Sequence, residues 1–183
     1  MARLYLVRHG EASAAWDKAV DPGLSEFGRR QSEQAAQKLT HFGPLDIFSS
    51  PLLRARETAE PTARDWRRPV TLADQVAEIP SPDGLPIGDR QTWLLGVMRG
   101  GWAKAGAPER NWRRTLVDFL AAQRDDAVIF SHFVAINVAV GAALGRDDVI
   151  CFRPANASIT VVETNSGVLS LIKQGEEATT KVR

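Results

Sequence analysis

Apolar runs and turn signals divide the chain into short strands and longer helices. Leu4-Tyr5-Leu6-Val7 is a four-residue apolar run that ends in Arg8-His9-Gly10, and its β-branched and aromatic members read as a buried strand. Leu45 to Phe48 is a second such run, ending in Ser49-Ser50-Pro51, and Ala127 to Phe130 is another, ending in Ser131-His132. Val70 to Ala73 makes a weaker strand. Ser158 to Glu163 and Val168 to Ile172 flank the turn signal Asn165-Ser166-Gly167, which predicts a closing hairpin.

Between these runs the spacing becomes helical. Ser25 is a candidate N-cap for a helix reaching about Phe42, with Phe27, Ala35, Leu39 and Phe42 on one face and Gly43-Pro44 as its stop. Pro51 is placed to open a second helix that carries Arg54 and runs towards Trp66, with Pro61 expected to kink or restart it. Trp112, Leu116, Phe119 and Leu120 share a face of a helix ending near Arg124. Phe133 to Leu144 is apolar nearly all round, the pattern of a helix covered on both sides. From about 80 to 108 the pattern dissolves into six glycines and four prolines, with one short helix expected around Arg90 to Met98.

Strands alternating with helices predict an α/β fold, a three-layer helix-sheet-helix sandwich with a mostly parallel sheet. Residues 1–183 are expected to form a single domain, with an irregular insertion at about 80–108 and a free polar tail at 174–183. Arg8 and His9 end one strand, Ser49 and Ser50 end a second with Arg54 just beyond, and His132 follows a third. In a parallel sheet those ends share the edge at which ligands bind, so two histidines and two arginines are expected to converge. Gly10 is expected to let the chain turn sharply beside His9.

Composition narrows the function. With 183 residues, 44% hydrophobic and 25% charged, the chain can bury a sizeable core. A net charge of +1 argues against a nucleic-acid partner. The one cysteine, Cys151, precludes an internal disulfide and is expected as a small buried group at a strand. The run after Met1 is too short for a signal peptide, and Phe133 to Gly145 is too short to span a bilayer. A soluble cytoplasmic protein with no membrane partner is expected.

Two guanidinium groups offer planar donors that match phosphate oxygens and stay cationic at any working pH. A neutral imidazole beside them can attack phosphorus once its other nitrogen is held by an acceptor. The leaving group then needs a proton from a carboxyl of raised pKa. Glu78, just past the third strand, is the best-placed candidate, with Asp83 and Glu11 behind it; His41 reads as structural or solvated.

These residues carry a resemblance. Leu6-Val7-Arg8-His9-Gly10-Glu11 resembles the signature of the histidine phosphatase superfamily, the phosphoglycerate-mutase-like fold. Leu24 to Gln31 resembles its first helix, Ser50 to Thr58 its second arginine motif, and Ser131-His132 its second histidine, all in the family's order. The resemblance implies His9 as the phosphorylated nucleophile and Glu78 as proton donor. Arg8, Arg54 and His132 would form the phosphate pocket, with His132 counted among the catalytic residues as well. It implies no metal and no cofactor. Ala12 and Ala15 stand where the family often has Thr and Asn, Phe133 where a glycine is usual, Asn137 where an arginine is common, and Pro80-Ser81-Pro82 in place of a glycine and tryptophan pattern.

The function that follows is hydrolysis of a phosphomonoester through a phosphohistidine on His9, a phosphoric monoester hydrolase of the histidine acid phosphatase type. The alternatives are a phosphohistidine protein phosphatase and a phosphate-binding module without turnover. Expected partners are a small-molecule phosphate ester or a phosphoprotein, and a homodimer stays open. Trp93, Trp102 and Trp112, with Arg90, Arg99, Lys104 and Arg110, either line a mouth for an anionic substrate or fill a small core beneath the insertion.

Overall fold

The structure, a computed structural model, describes residues 1–15 and 17–178. Its strands are β1 (Ala2–Arg8), β2 (Asp46–Ser49), β3 (Val70–Leu72), β4 (Ala127–Ser131), β5 (Ile159–Asn165) and β6 (Val168–Lys173). Its helices are α1 (Glu26–Leu39), α2 (Leu53–Trp66), α3 (Arg90–Met98), α4 (Ala107–Ala121) and α5 (Phe133–Leu144).

One six-stranded sheet runs in the order β3-β2-β4-β1-β5-β6. The four strands from β3 to β1 pair in parallel, and β5 and β6 add antiparallel neighbours at one side. Alternation along β1 and β4 divides the core between the two faces. Leu4, Leu6, Ala127 and Ile129 pack with Leu116, Leu120, Val134 and Val138 from α4 and α5. Tyr5, Val7, Val128 and Phe130 pack with Ala35, Leu39 and Ala59 from α1 and α2. The result is the expected three-layer α/β sandwich. Register then aligns the strand ends, because Arg8 lies opposite Ser131 and Ser49 opposite Phe130.

Several elements depart from the sequence pattern. Ser25 does cap α1, its hydroxyl accepting the Gly28 N–H at 3.0 Å, but the helix stops at Leu39 and Phe27 is 51% exposed. The buried stripe is Gly28, Ser32, Ala35, Ala36 and Leu39; all but Leu39 are small residues that carry little hydrophobic signal. Phe27 instead packs beside the Arg30 guanidinium, and Phe42, beyond the helix, lies against the Tyr5 ring. Pro51 precedes α2, which begins at Leu53, and Pro61 does not restart it, since the helix runs through that residue to Trp66. The proline ring removes one N–H donor, and the rest of the helix is held by its packed face of Ala55, Thr58, Ala59 and Thr62.

Residues 80–108 are more regular than their composition suggests. They contain α3, short 3₁₀ turns at Ile87–Asp89 and Trp102–Lys104, and the start of α4, with Pro108 in its first turn. Trp102 is 2% exposed within the α4 side of the core, and Trp112 packs beside it, so these tryptophans fill a core rather than line a mouth. Cys151 lies half-buried in the loop between α5 and β5, not on a strand. Part of the polar tail is docked: the Gly175 N–H donates to Thr160 Oγ1, Ala155 N–H to the Glu176 carbonyl, and Ala178 N–H to the Arg153 carbonyl. Residues 179–183 of that tail lie outside the described residues. Among the described residues no helix is long and apolar enough to cross a membrane.

Candidate active site

The carboxyl end of β1 is held from several sides. The His9 N–H donates to the Ser131 carbonyl at 3.0 Å and the Arg8 N–H to the Ser158 carbonyl at 3.2 Å. Asn156 Nδ2 donates to the His9 carbonyl at 3.0 Å, and the Gly10 N–H donates to Thr58 Oγ1 at 3.0 Å. Gly10 is required for close approach rather than for a left-handed turn: a Cβ there would come within 2.5 Å of the Gly28 carbonyl oxygen. Gly28 has no room for a side chain either, because its Cβ would press on the Glu11 carbonyl.

These contacts set the state of His9. Its Nδ1 lies 2.7 Å from the Gly10 carbonyl, an acceptor only, so Nδ1 carries the proton. Nε2 is therefore the unprotonated nitrogen, and it accepts from Arg54 Nε at 3.2 Å. Burial first, and the Arg54 and Arg8 charges second, hold this imidazole well below the usual histidine range, so it is neutral at physiological pH. His9 retains 8% exposure whereas His132 has none.

His132 stands beside it, with ring centroids 5.1 Å apart. Its Nε2 is 2.8 Å from Ser50 Oγ, at the end of β2, and its Nδ1 is buried without a partner. Ser50 Oγ also accepts the Leu52 N–H and, with a second lone pair and its own proton, can pair with His132 Nε2 in either tautomer. Burial, followed by Arg54, His9 and Arg8, keeps His132 uncharged as well.

Arg54 projects from the first turn of α2 and is almost fully buried. Asp21 lies 3.8 Å from its NH1 while both carboxylate oxygens accept the Leu53 N–H, at 2.9 and 3.1 Å. One side chain thus caps α2 and faces the arginine that α2 presents. Arg8 donates from NH1 to the Pro154 carbonyl at 2.8 Å, and burial pushes its pKa down to about 10, still cationic at neutral pH.

Glu78 approaches from the loop after β3. Its carboxylate accepts the N–H groups of Val134 at 3.1 Å, Ala135 at 3.3 Å and Ile79 at 3.1 Å, which makes it the cap of α5 that the His132 side chain does not provide. Burial nevertheless raises its pKa above the ordinary carboxylate value, against the amides and the Arg54 charge. Of the other candidate acids, Glu11 is exposed and accepts the Ser25 hydroxyl, and Asp83 is exposed; His41 is exposed too.

Arg8, His9, Arg54, Glu78 and His132 therefore converge at one sheet edge. Arg8 Nε, Arg54 NH1 and His132 Nδ1 are buried polar atoms with no hydrogen-bond partner. Unpartnered buried donors are costly in a folded protein, and the two guanidinium donors beside an imidazole lone pair fit an anion with several oxygens. Sequence reasoning missed Asp21, Pro154 and Thr58, and gave Asn156 no role. Each acts through contacts 32 to 147 residues apart in the chain or through backbone groups, for which side-chain pattern carries little signal.

Residues 4–83 match the model of the histidine phosphatase superfamily, branch 1. Over that segment, somewhat less than half of its length, the chain is similar to this superfamily. It is 25% identical over 174 residues to the 2,3-bisphosphoglycerate-dependent phosphoglycerate mutase of Thermoplasma acidophilum, covering 88% of this chain and 87% of that protein. It is 32% identical over 124 residues to the probable phosphoglycerate mutase GpmB of Erwinia tasmaniensis, covering 64% of this chain and 51% of that one. Phosphoserine phosphatase 1 of Hydrogenobacter thermophilus is 36% identical over 83 residues, 43% of this chain and 39% of that protein. The matched segment thus spans about half the length of the GpmB protein and less of the phosphatase. The same fold is found in the mycobacterial glucosyl-3-phosphoglycerate phosphatase solved with VO3, at a TM-score of 0.75 and 22% identity over 94% of this chain and 98% of that one. Relatives of this chain include both phosphatases and mutases.

Proposed function

We propose that this chain is a member of that superfamily and a phosphatase that hydrolyses a phosphomonoester through a covalent phosphohistidine on His9. The observation that carries the reading is the neutral His9 Nε2, set by the 2.7 Å bond from Nδ1 to the Gly10 carbonyl, beside the unpartnered donors of Arg8 and Arg54 and the buried His132.

In the first step the Nε2 lone pair attacks phosphorus and the bond from phosphorus to the ester oxygen breaks. The departing oxygen takes the Glu78 carboxyl proton. Arg8, Arg54 and His132 hold the three equatorial oxygens through transfer. In the second step water attacks phosphorus, Glu78 takes its proton, the bond to Nε2 breaks and inorganic phosphate leaves. The cycle returns His9 neutral and Glu78 protonated, and it requires no cofactor.

Named phosphatases among the relatives support water as the acceptor, and the mutases among them make a second hydroxyl of a phosphorylated acid the competing acceptor. A phosphoprotein substrate is the further alternative. Turnover of a generic aryl phosphate by wild type beside His9→Ala tests the reading. Stoichiometric release of phosphate that His9→Ala abolishes is expected. Phosphate binding by a folded protein without turnover would point to a binding module instead.

A further inference from the structure

The guanidinium of Arg8 is gripped by α5 along two routes. Its Cζ sits over the Phe133 ring, 5.1 Å from the centroid, and that ring is itself buried in the α5 side of the core. The other route passes through Asn137, one turn further along the helix and fully buried. Asn137 Oδ1 accepts the Cys151 N–H at 2.7 Å and the Phe152 N–H at 3.0 Å, fixing the loop that delivers the Pro154 carbonyl to Arg8 NH1. Its Nδ2 donates to the Phe133 carbonyl at 2.9 Å, which closes the circuit on the residue whose ring Arg8 sits over.

A buried amide in an otherwise apolar helix is stable only when its hydrogen bonds are made, and all three bonds of Asn137 bear on Arg8 or on its contacts. The ring contact at Cζ and the hydrogen bond at NH1 hold the guanidinium at two points. Arg8 Nε is left buried and unpartnered, in a guanidinium whose charge acts on His9. A lysine would supply the charge there without a plane to orient.

We propose that Phe133 and Asn137 form an internal brace that fixes the plane of Arg8 and so aims its free donor at the phosphoryl group. They are positioning residues, acting through Arg8 and not on the substrate. The inference rests on the phosphate-pocket reading above.

Calorimetric titration with inorganic phosphate tests it without requiring turnover. Phe133→Leu and Phe133→Met keep volume and remove the ring; each is expected to weaken phosphate binding about 3- to 30-fold. Phe133→Tyr keeps the ring face and restores affinity to within about twofold of wild type. Asn137→Ala shifts affinity in the same direction as Phe133→Leu. In an Arg8→Lys background, removal of the ring causes no further loss, because no guanidinium plane remains to be held. Having both leucine and methionine variants keeps the test open if one folds poorly. Wild-type affinity in the folded ring-less variants, or an equal loss in the Arg8→Lys background, overturns the brace alone. Wild-type protein that binds no phosphate overturns the pocket reading and the brace with it.

Discussion

The carboxyl of Glu78 feels burial, which favours its protonated form, against three amide donors and the Arg54 charge, which favour the carboxylate; burial is the largest influence. A proton donor with a raised pKa loses its proton as pH rises through that value, so kcat/KM for an alkyl ester is expected to fall on the alkaline side. His9, held well below the usual range, keeps its lone pair on the acid side. Glu78→Gln is expected to lower alkyl-ester turnover by about 10²- to 10⁴-fold and to abolish the alkaline fall, while an aryl ester with a good leaving group loses much less. A pH–rate profile of both esters checks this, and an unchanged alkaline limb in Glu78→Gln would assign it to another group. Arg8, His9, Arg54 and His132 were legible in the sequence because each sits at or just beyond a strand end. The raised pKa of Glu78 was anticipated from the need for an acid, but its second duty as the α5 cap depends on loop packing that no local pattern encodes.

Among the elements, α5 and α3 were read with the bounds they have, since one is apolar apart from Asn137 and the other is bracketed by glycine and proline. The burial of α1 was misread because its packed stripe, apart from Leu39, is Gly, Ser and Ala while its large ring, Phe27, faces solvent. Pattern analysis scores such a stripe as polar. Asp21 caps α2 from the loop before α1. Asp21→Ala is expected to lower the free energy of unfolding by about 1 kcal/mol, and Asp21→Asn by less, because an amide oxygen still accepts the Leu53 N–H. Denaturant unfolding of the two variants measures the difference; equal losses would mean that the carboxylate charge, and not the acceptor oxygen, holds the helix end.

For the whole molecule, the site stores a pH dependence of stability. His9 and His132 have depressed pKa values, so below about pH 6.5 the unfolded chain takes up protons that the folded chain refuses. Their contribution is present above that pH and is lost as pH falls. Glu78 works in the opposite sense: its contribution is present below the ordinary carboxylate range and is lost as pH rises through its raised value. Two histidines outweigh one carboxyl between pH 7 and 5, so stability is expected to fall on acidification by up to about 1.4 kcal/mol per pH unit for each uncompensated proton. Unfolding at pH 7, 6 and 5 checks it, with His9→Asn, His132→Asn expected to flatten the slope and an unchanged slope locating it elsewhere. The same burial that makes this dependence keeps His9 neutral, as its proposed role as nucleophile requires. The most direct measurement of that role is rapid quenching during turnover of a labelled aryl phosphate, followed by mapping of the labelled peptide. An acid-labile, alkali-stable phosphoryl group on His9, formed in a burst and absent from His9→Ala, is predicted; turnover with no label on His9, or a burst that survives in His9→Ala, would contradict a covalent His9 intermediate.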